Sequence, residues 1–194
     1  MSQLSTIADA VRTCTSCGLH RTRTNAVPGA GPDDAKIMLV GEGPGAGEDE
    51  VGLPFVGDSG KLLTRLLSDA GIQRDTVFVT NSVKCRPPGN RDPKPEETAA
   101  CKGHLKGQIR ALRPKVIITC GKFAAWHVTM TTGPVSALMA QQNLTCIYGN
   151  DPIPVVACYH PAYLLRLLQS DRERAKAVYQ DYISRLQRAA TLAV

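Results

Sequence analysis

Four short runs of the chain are apolar almost throughout and rich in Val and Ile: Lys36–Glu42 (KIMLVGE), Thr76–Val83 (TVFVTNSV), Lys115–Gly121 (KVIITCG) and Ile153–His160 (IPVVACYH). Polar residues do not alternate through them, so both faces of each run need cover, as in the strands of a parallel sheet. Between the runs the period changes. SGKLLTRLLSDAG places Leu62, Leu63, Leu66 and Leu67 on one helical stripe and ends at Gly71, a suitable C-terminal cap. KPEETAACKGHLKGQIRALRP opens with Pro95 and acidic residues, which the helix dipole favours there, and stops before Pro114. SDRERAKAVYQDYISRLQRAA repeats apolar side chains at Ala175, Val178, Tyr182, Ile183 and Leu186, as a packed terminal helix does. Strands separated by helices predict a three-layer α/β/α fold with a central, mainly parallel four-stranded sheet. In such sheets the ligand crevice lies beyond the carboxyl ends of the strands.

Composition narrows the picture. A chain of 194 residues, 43% hydrophobic, supports one sizeable core, so a single domain spanning 1–194 is expected. The formal net charge of +6 favours an anionic partner without identifying it. No stretch approaches the roughly 20 apolar residues of a spanning helix, and MSQLSTIADAVRTC lacks the apolar core of a signal peptide. A cytoplasmic protein without membrane contact, nucleoid-associated if prokaryotic, is therefore expected, and it is taken to be a monomer. Seven cysteines in a reducing compartment argue for clustered thiols on a metal rather than for a disulfide framework.

Three unusual segments fall at strand ends and would meet at one sheet edge. GEGPGAGEDEVGLPFVGDSG combines Gly41, Gly43, Gly45 and Gly47 with Glu42, Glu48 and Asp49. It is not a phosphate loop, because the G-x-x-x-x-G-K-[ST] pattern is missing and its carboxylates would repel a triphosphate. Phe55, large and apolar between turn formers, can stack on a planar ligand or plug the loop against the core. NSVKCRPPGNRDP begins with Asn81, whose amide offers the donor and acceptor that match a nucleobase edge. HPAYLLR begins with His160, an imidazole able to donate to a developing oxyanion. It continues to Leu164, Leu165 and Arg166, an apolar wedge beside a cation.

Together, GEGPGAGEDEVGLPFVG, TNSVKCRPP and HPAYLLR resemble the motifs of the iron-sulfur, or family 4, uracil-DNA glycosylases, in the same order along the chain. The resemblance runs from Cys14 through the final helix and implies an enzyme that flips uracil out of single- or double-stranded DNA and hydrolyses its glycosidic bond. It implies that Cys14, Cys17, Cys85 and Cys101 hold a [4Fe-4S] cluster, although four thiolates taken alone suit zinc equally. That cluster would turn Lys84, Arg86 and Arg91 toward the DNA backbone, with Leu164 and Arg166 also on DNA. By the same resemblance Phe55 stacks on uracil, Asn81 binds its N3 and O4 edge, the backbone around Glu42 and Gly43 contacts O2, and His160 donates to O2. Glu48 is expected to orient the water, with Glu42 as a binding element. The motifs hold no lysine suited to Schiff-base chemistry, so a monofunctional enzyme leaving an abasic site is expected. The rivals are a non-catalytic uracil-DNA-binding module and a relative that captures uracil-DNA covalently through a histidine near the proline segment, where CRPPGNRDPKPEE has none. Cys120, Cys146 and Cys158 lie in apolar runs, where buried inert thiols are the default.

Overall fold

The computed structural model describes residues 2–148 and 151–194. Its strands are β1 (Ile37–Gly41), β2 (Val77–Asn81), β3 (Val116–Cys120), β4 (Thr145–Cys146) and β5 (Ile153–Cys158), in the spatial order β2-β1-β3-β5-β4. The four apolar runs supply the parallel body of the sheet. Beside them β4 pairs antiparallel with β5, a fifth strand of only two residues and therefore without a periodic signal in the sequence. The helices are α1 (Gln3–Arg12), α2 (Ala46–Val51), α3 (Asp58–Asp69), α4 (Pro95–Leu112), α5 (Lys122–Thr129), α6 (Val135–Ala140), α7 (Pro161–Ser170) and α8 (Arg172–Leu192).

Alternation within each strand builds two cores. Ile37 and Leu39 point with Val79, Ile118 and Val156 toward α3, α7 and α8, where Leu63, Leu66, Leu167 and Leu186 meet them. Met38 and Val40 point with Phe78 and Ile117 the other way, against Leu105 and Ile109 of α4, Val128 of α5 and Leu138 of α6. Each fully buried Leu, Ile or Val contributes roughly 1.5–3 kcal/mol, so this double cover is what holds the central strands. Cys120, Cys146 and Cys158 are buried within these cores. Burial pushes the Cys120 thiol up to about 12, in keeping with an inert side chain.

Because β1, β2, β3 and β5 are parallel, the residues after them emerge at one edge: Glu42, Ser82, Gly121 and Tyr159. Gly121 has φ +92, and a Cβ there would lie 3.3 Å from that of His160, so only glycine turns the chain this close to the neighbouring strand end. Among the described residues no helix is long and apolar enough to cross a membrane.

Candidate active site and thiol centre

A cleft of about 490 Å³ opens at that edge and is lined by Glu42, Glu48, Phe55, Asn81, His160 and Arg166, among others. Pairing between β1 and β2 continues one step past the strands: Ser82 N–H donates to Gly41 O at 2.9 Å and Val83 N–H to Glu42 O at 3.0 Å. Glu42 is thereby fixed next to Asn81. The Asn81 residue, 2% exposed, ends β2 with its side chain on the cleft.

Glu48 closes the glycine-rich loop on itself. One carboxylate oxygen accepts the Gly45 N–H at 3.0 Å and the other accepts those of Val56 and Gly57 at 2.9 Å each. Neighbouring Asp49, 5% exposed, accepts the N–H groups of Thr24 and Asn25 and ties in the N-terminal arm. The clamped loop presents Phe55 in the left-handed region at φ 54, uncommon for a bulky residue. Two glycines make room for it: a Cβ on Gly60 would overlap the Phe55 carbonyl, and one on Gly41 would sit 2.6 Å from Phe55 Cζ and collide with Asn81 Oδ1. Gly60→Ala is accordingly expected to destabilise the fold by about 3 kcal/mol, the upper end of ordinary overpacking, as a urea titration would show.

The Phe55 ring stacks on His160, with centroids 6.1 Å apart and planes at 26°. His160 caps α7, where its Nδ1 accepts the Ala162 N–H at 3.2 Å. Burial, reinforced by Arg166 and opposed by Glu48, pulls its pKa down to about 4. The ring is thus neutral at pH 7, and with Nδ1 accepting, the proton resides on Nε2. Glu42 is shifted the opposite way. Burial and the nearby Asp92 raise its carboxyl to about 7 against the pull of Lys122, and none of the described residues hydrogen-bonds it. Asp92 and Lys122 form an ion pair at 3.7 Å that nothing in the sequence pattern signalled.

Two expected DNA contacts lie elsewhere. Lys84 is 1% exposed and donates to Thr80 Oγ1 at 2.7 Å, to Asn81 O at 2.6 Å and to Gln108 Oε1 at 2.6 Å. It faces inward because its partners on β2 and α4 lie beneath the proline loop. Leu164 is 0% exposed and packs in the core, since the helical stripe that starts at Pro161 carries it inward with Leu167. Arg166 is exposed at the cleft rim. Arg91 also lines the cleft and makes a paired contact with Glu97, at 2.9 and 2.6 Å. Arg86 is held to Asn90 Oδ1 by its Nε at 2.7 Å.

Cys14, Cys17, Cys85 and Cys101 line a second pocket together with Arg23, Lys84 and His104. The first two follow α1, the third lies in the proline loop and the fourth on α4, so one group held here would join three separate parts of the chain. Burial pushes Cys101 up to about 11 and Cys85 upward as well, so a bound cation is needed to hold them as thiolates. Among the described residues no three Cys, His, Asp or Glu side chains close up around a single ion. Arg23, which the sequence did not single out, donates from Nη1 to Cys85 Sγ at 3.0 Å and from Nη2 to Arg12 O at 2.9 Å.

A family model described as the Uracil DNA glycosylase superfamily matches residues 28–184. The chain is 43% identical over 171 residues to a type-4 uracil-DNA glycosylase of Archaeoglobus fulgidus, covering 85% of this chain and 84% of that one. It is 43% identical over 187 residues to the type-4 uracil-DNA glycosylase of Saccharolobus solfataricus, covering 91% and 86% respectively. The corresponding protein of Thermotoga maritima is 42% identical over 180 residues, 88% of this chain and 92% of that one. The chain belongs to the uracil-DNA glycosylase superfamily and, within it, to the type-4 family.

Proposed function

We propose that the protein removes uracil from DNA as a monofunctional glycosylase, hydrolysing the bond between N1 of the base and C1′ of the sugar and leaving an abasic site. The observation that carries this reading is the neutral His160, its Nδ1 occupied by Ala162, beside Phe55 and Asn81 in one cleft. A base extruded from the stack lies against Phe55, with the Asn81 amide on its N3 and O4 edge. As the glycosidic bond lengthens, negative charge grows on O2, and the Nε2–H of His160 donates to it together with backbone N–H groups near Gly43. A neutral donor suits this step, since it stabilises the leaving anion without giving up its proton.

Water then attacks C1′. Glu48 already accepts three backbone N–H groups, whereas the Glu42 carboxylate has no hydrogen-bond partner among the described residues, so the two carboxylates exchange their expected parts: Glu48 shapes the loop and Glu42 orients the water. Orientation requires the Glu42 anion. With its pKa raised to about 7, the carboxylate is neutral below that pH and ionised above it. We therefore expect kcat/KM to rise with pH through about 7, and the rise to vanish in Glu42→Gln, in a pH profile on a uracil oligonucleotide.

The four thiols suit a [4Fe-4S] cluster, for they converge on one pocket and the motifs around them resemble those of the iron-sulfur uracil-DNA glycosylases. When bound, the cluster supplies a covalent tie between the N-terminal arm, the proline loop and α4. Arg91 and Arg166 on the cleft, with the net charge of +6, support a DNA-facing rim; a cytoplasmic monomer is part of the same proposal.

The test is incubation of the purified protein with a labelled single-stranded oligonucleotide carrying one uracil, followed by alkali. Alkali-dependent cleavage that disappears in Asn81→Ala and His160→Ala supports the proposal. Binding without cleavage would replace it with a non-catalytic module, and a complex that survives denaturation would replace it with covalent capture.

A further inference from the structure

The thiol pocket contains two basic side chains, Arg23 and Lys84, with no acidic side chain to balance them, and burial lowers the Lys84 amine to about 7, which leaves Arg23 as the fixed positive charge. Lys84 is 1% exposed, and its ammonium meets three neutral oxygens. Arg23 is half-buried, with one arm of its guanidinium on Cys85 Sγ at 3.0 Å and the other on the Arg12 carbonyl at 2.9 Å. Neither makes a salt bridge to a carboxylate among the described residues. A buried cation without a counter-charge is costly, and the groups that can supply negative charge here are the four thiolates. Arg23 also has a fixed position: the Arg12 carbonyl at the end of α1 holds the fork, so its second arm reaches the sulfur in a set direction.

We propose that Arg23 is a positioning residue for the iron-sulfur centre, donating a charge-assisted N–H···S bond to Cys85 that favours the more negatively charged, reduced form of the cluster. This inference rests on the cluster reading above. Hydrogen bonds to cluster sulfurs and net local charge are recognised determinants of cluster potential. A cation next to the ligand sulfur stabilises whichever member of a redox couple carries the extra electron. Removing it therefore lowers the potential, whichever one-electron couple is measured.

The experiment compares wild type with Arg23→Gln and Arg23→Lys, all purified without oxygen. Iron per chain is counted, the midpoint potential is measured by redox titration followed by electron paramagnetic resonance, and loss of visible absorbance in air is timed. With full iron, Arg23→Gln is expected to shift the oxidised-to-reduced ratio at fixed potential by about tenfold toward the oxidised form, a fall of about 59 mV for one electron. It should also bleach faster in air, with Arg23→Lys between it and wild type. A full-iron Arg23→Gln with unchanged potential overturns the assignment. Should Arg23→Gln lose its iron on purification, the cluster is rebuilt in it anaerobically from iron and sulfide and the refilled protein decides: a lowered potential upholds the assignment and a wild-type value overturns it. Wild-type protein without iron is a different failure, since it removes the cluster reading itself.

Discussion

His160→Ala is expected to lower kcat on a uracil-containing strand by about 10²–10³-fold while leaving KM nearly unchanged. That is the cost of removing one donor aimed at charge that develops only in the transition state. The split between the two constants follows from the geometry. His160 packs on Phe55, is neutral at pH 7 because its pKa is pulled down to about 4, and carries its one proton on Nε2 because Nδ1 accepts the Ala162 N–H in capping α7. The ground-state O2 of uracil carries little charge, so the same hydrogen bond contributes little before the bond breaks. Single-turnover kinetics separate the two steps. Equal losses in binding and in the chemical rate would show instead that the ring matters chiefly as packing for Phe55. Since a pKa of about 4 lies below the assay range, titration of His160 should leave no inflection between pH 5 and 8, and the one expected near 7 belongs to Glu42.

Asn81→Ala is expected to lower kcat/KM by roughly 10²–10⁴-fold. Two polar groups on the base edge lose their partners, at about 1–3 kcal/mol each, and no water replaces them well in a site where Asn81 itself is 2% exposed. Here the loss should fall largely on uracil recognition, so discrimination between uracil and the other bases weakens together with the rate. Competition assays with oligonucleotides containing and lacking uracil measure this directly. Retained discrimination in Asn81→Ala would assign base reading to the backbone around Gly43.

Much of this site was legible in the sequence because a parallel sheet leaves few choices. Once four apolar runs are strands, the segments that follow them must share an edge, and Phe55, Asn81 and His160 are brought to one cleft as that topology requires. The four clustered thiols also line one pocket. What stayed hidden depended on long-range contacts or on helical phase. Lys84 sits amid prolines and basic residues and reads as exposed, but its ammonium finds Gln108 on α4, a partner the local pattern cannot disclose. Leu164, Leu165, Leu167 and Leu168 differ only in where the helix begins, and Pro161 at its first position turns Leu164 inward and leaves Leu168 46% exposed. The two carboxylates of the glycine-rich loop look interchangeable as letters. They part only when the backbone of Val56 and Gly57 folds back onto Glu48.

The register of the sheet carries a consequence for how the protein is made. The cleft draws on the ends of β1, β2 and β5, which lie far apart along the chain, and β5 reaches β1 only through β3 between them. Pairing of this kind has high contact order and is slow to form, because each parallel neighbour must be recruited across a helical crossover. A nascent chain released only as far as α5 holds β1, β2 and β3 but lacks β5 and has no His160 at the edge. Synthesis must therefore run through β5 before a base could be held and released, and a partly translated chain is unable to open abasic sites in the genome.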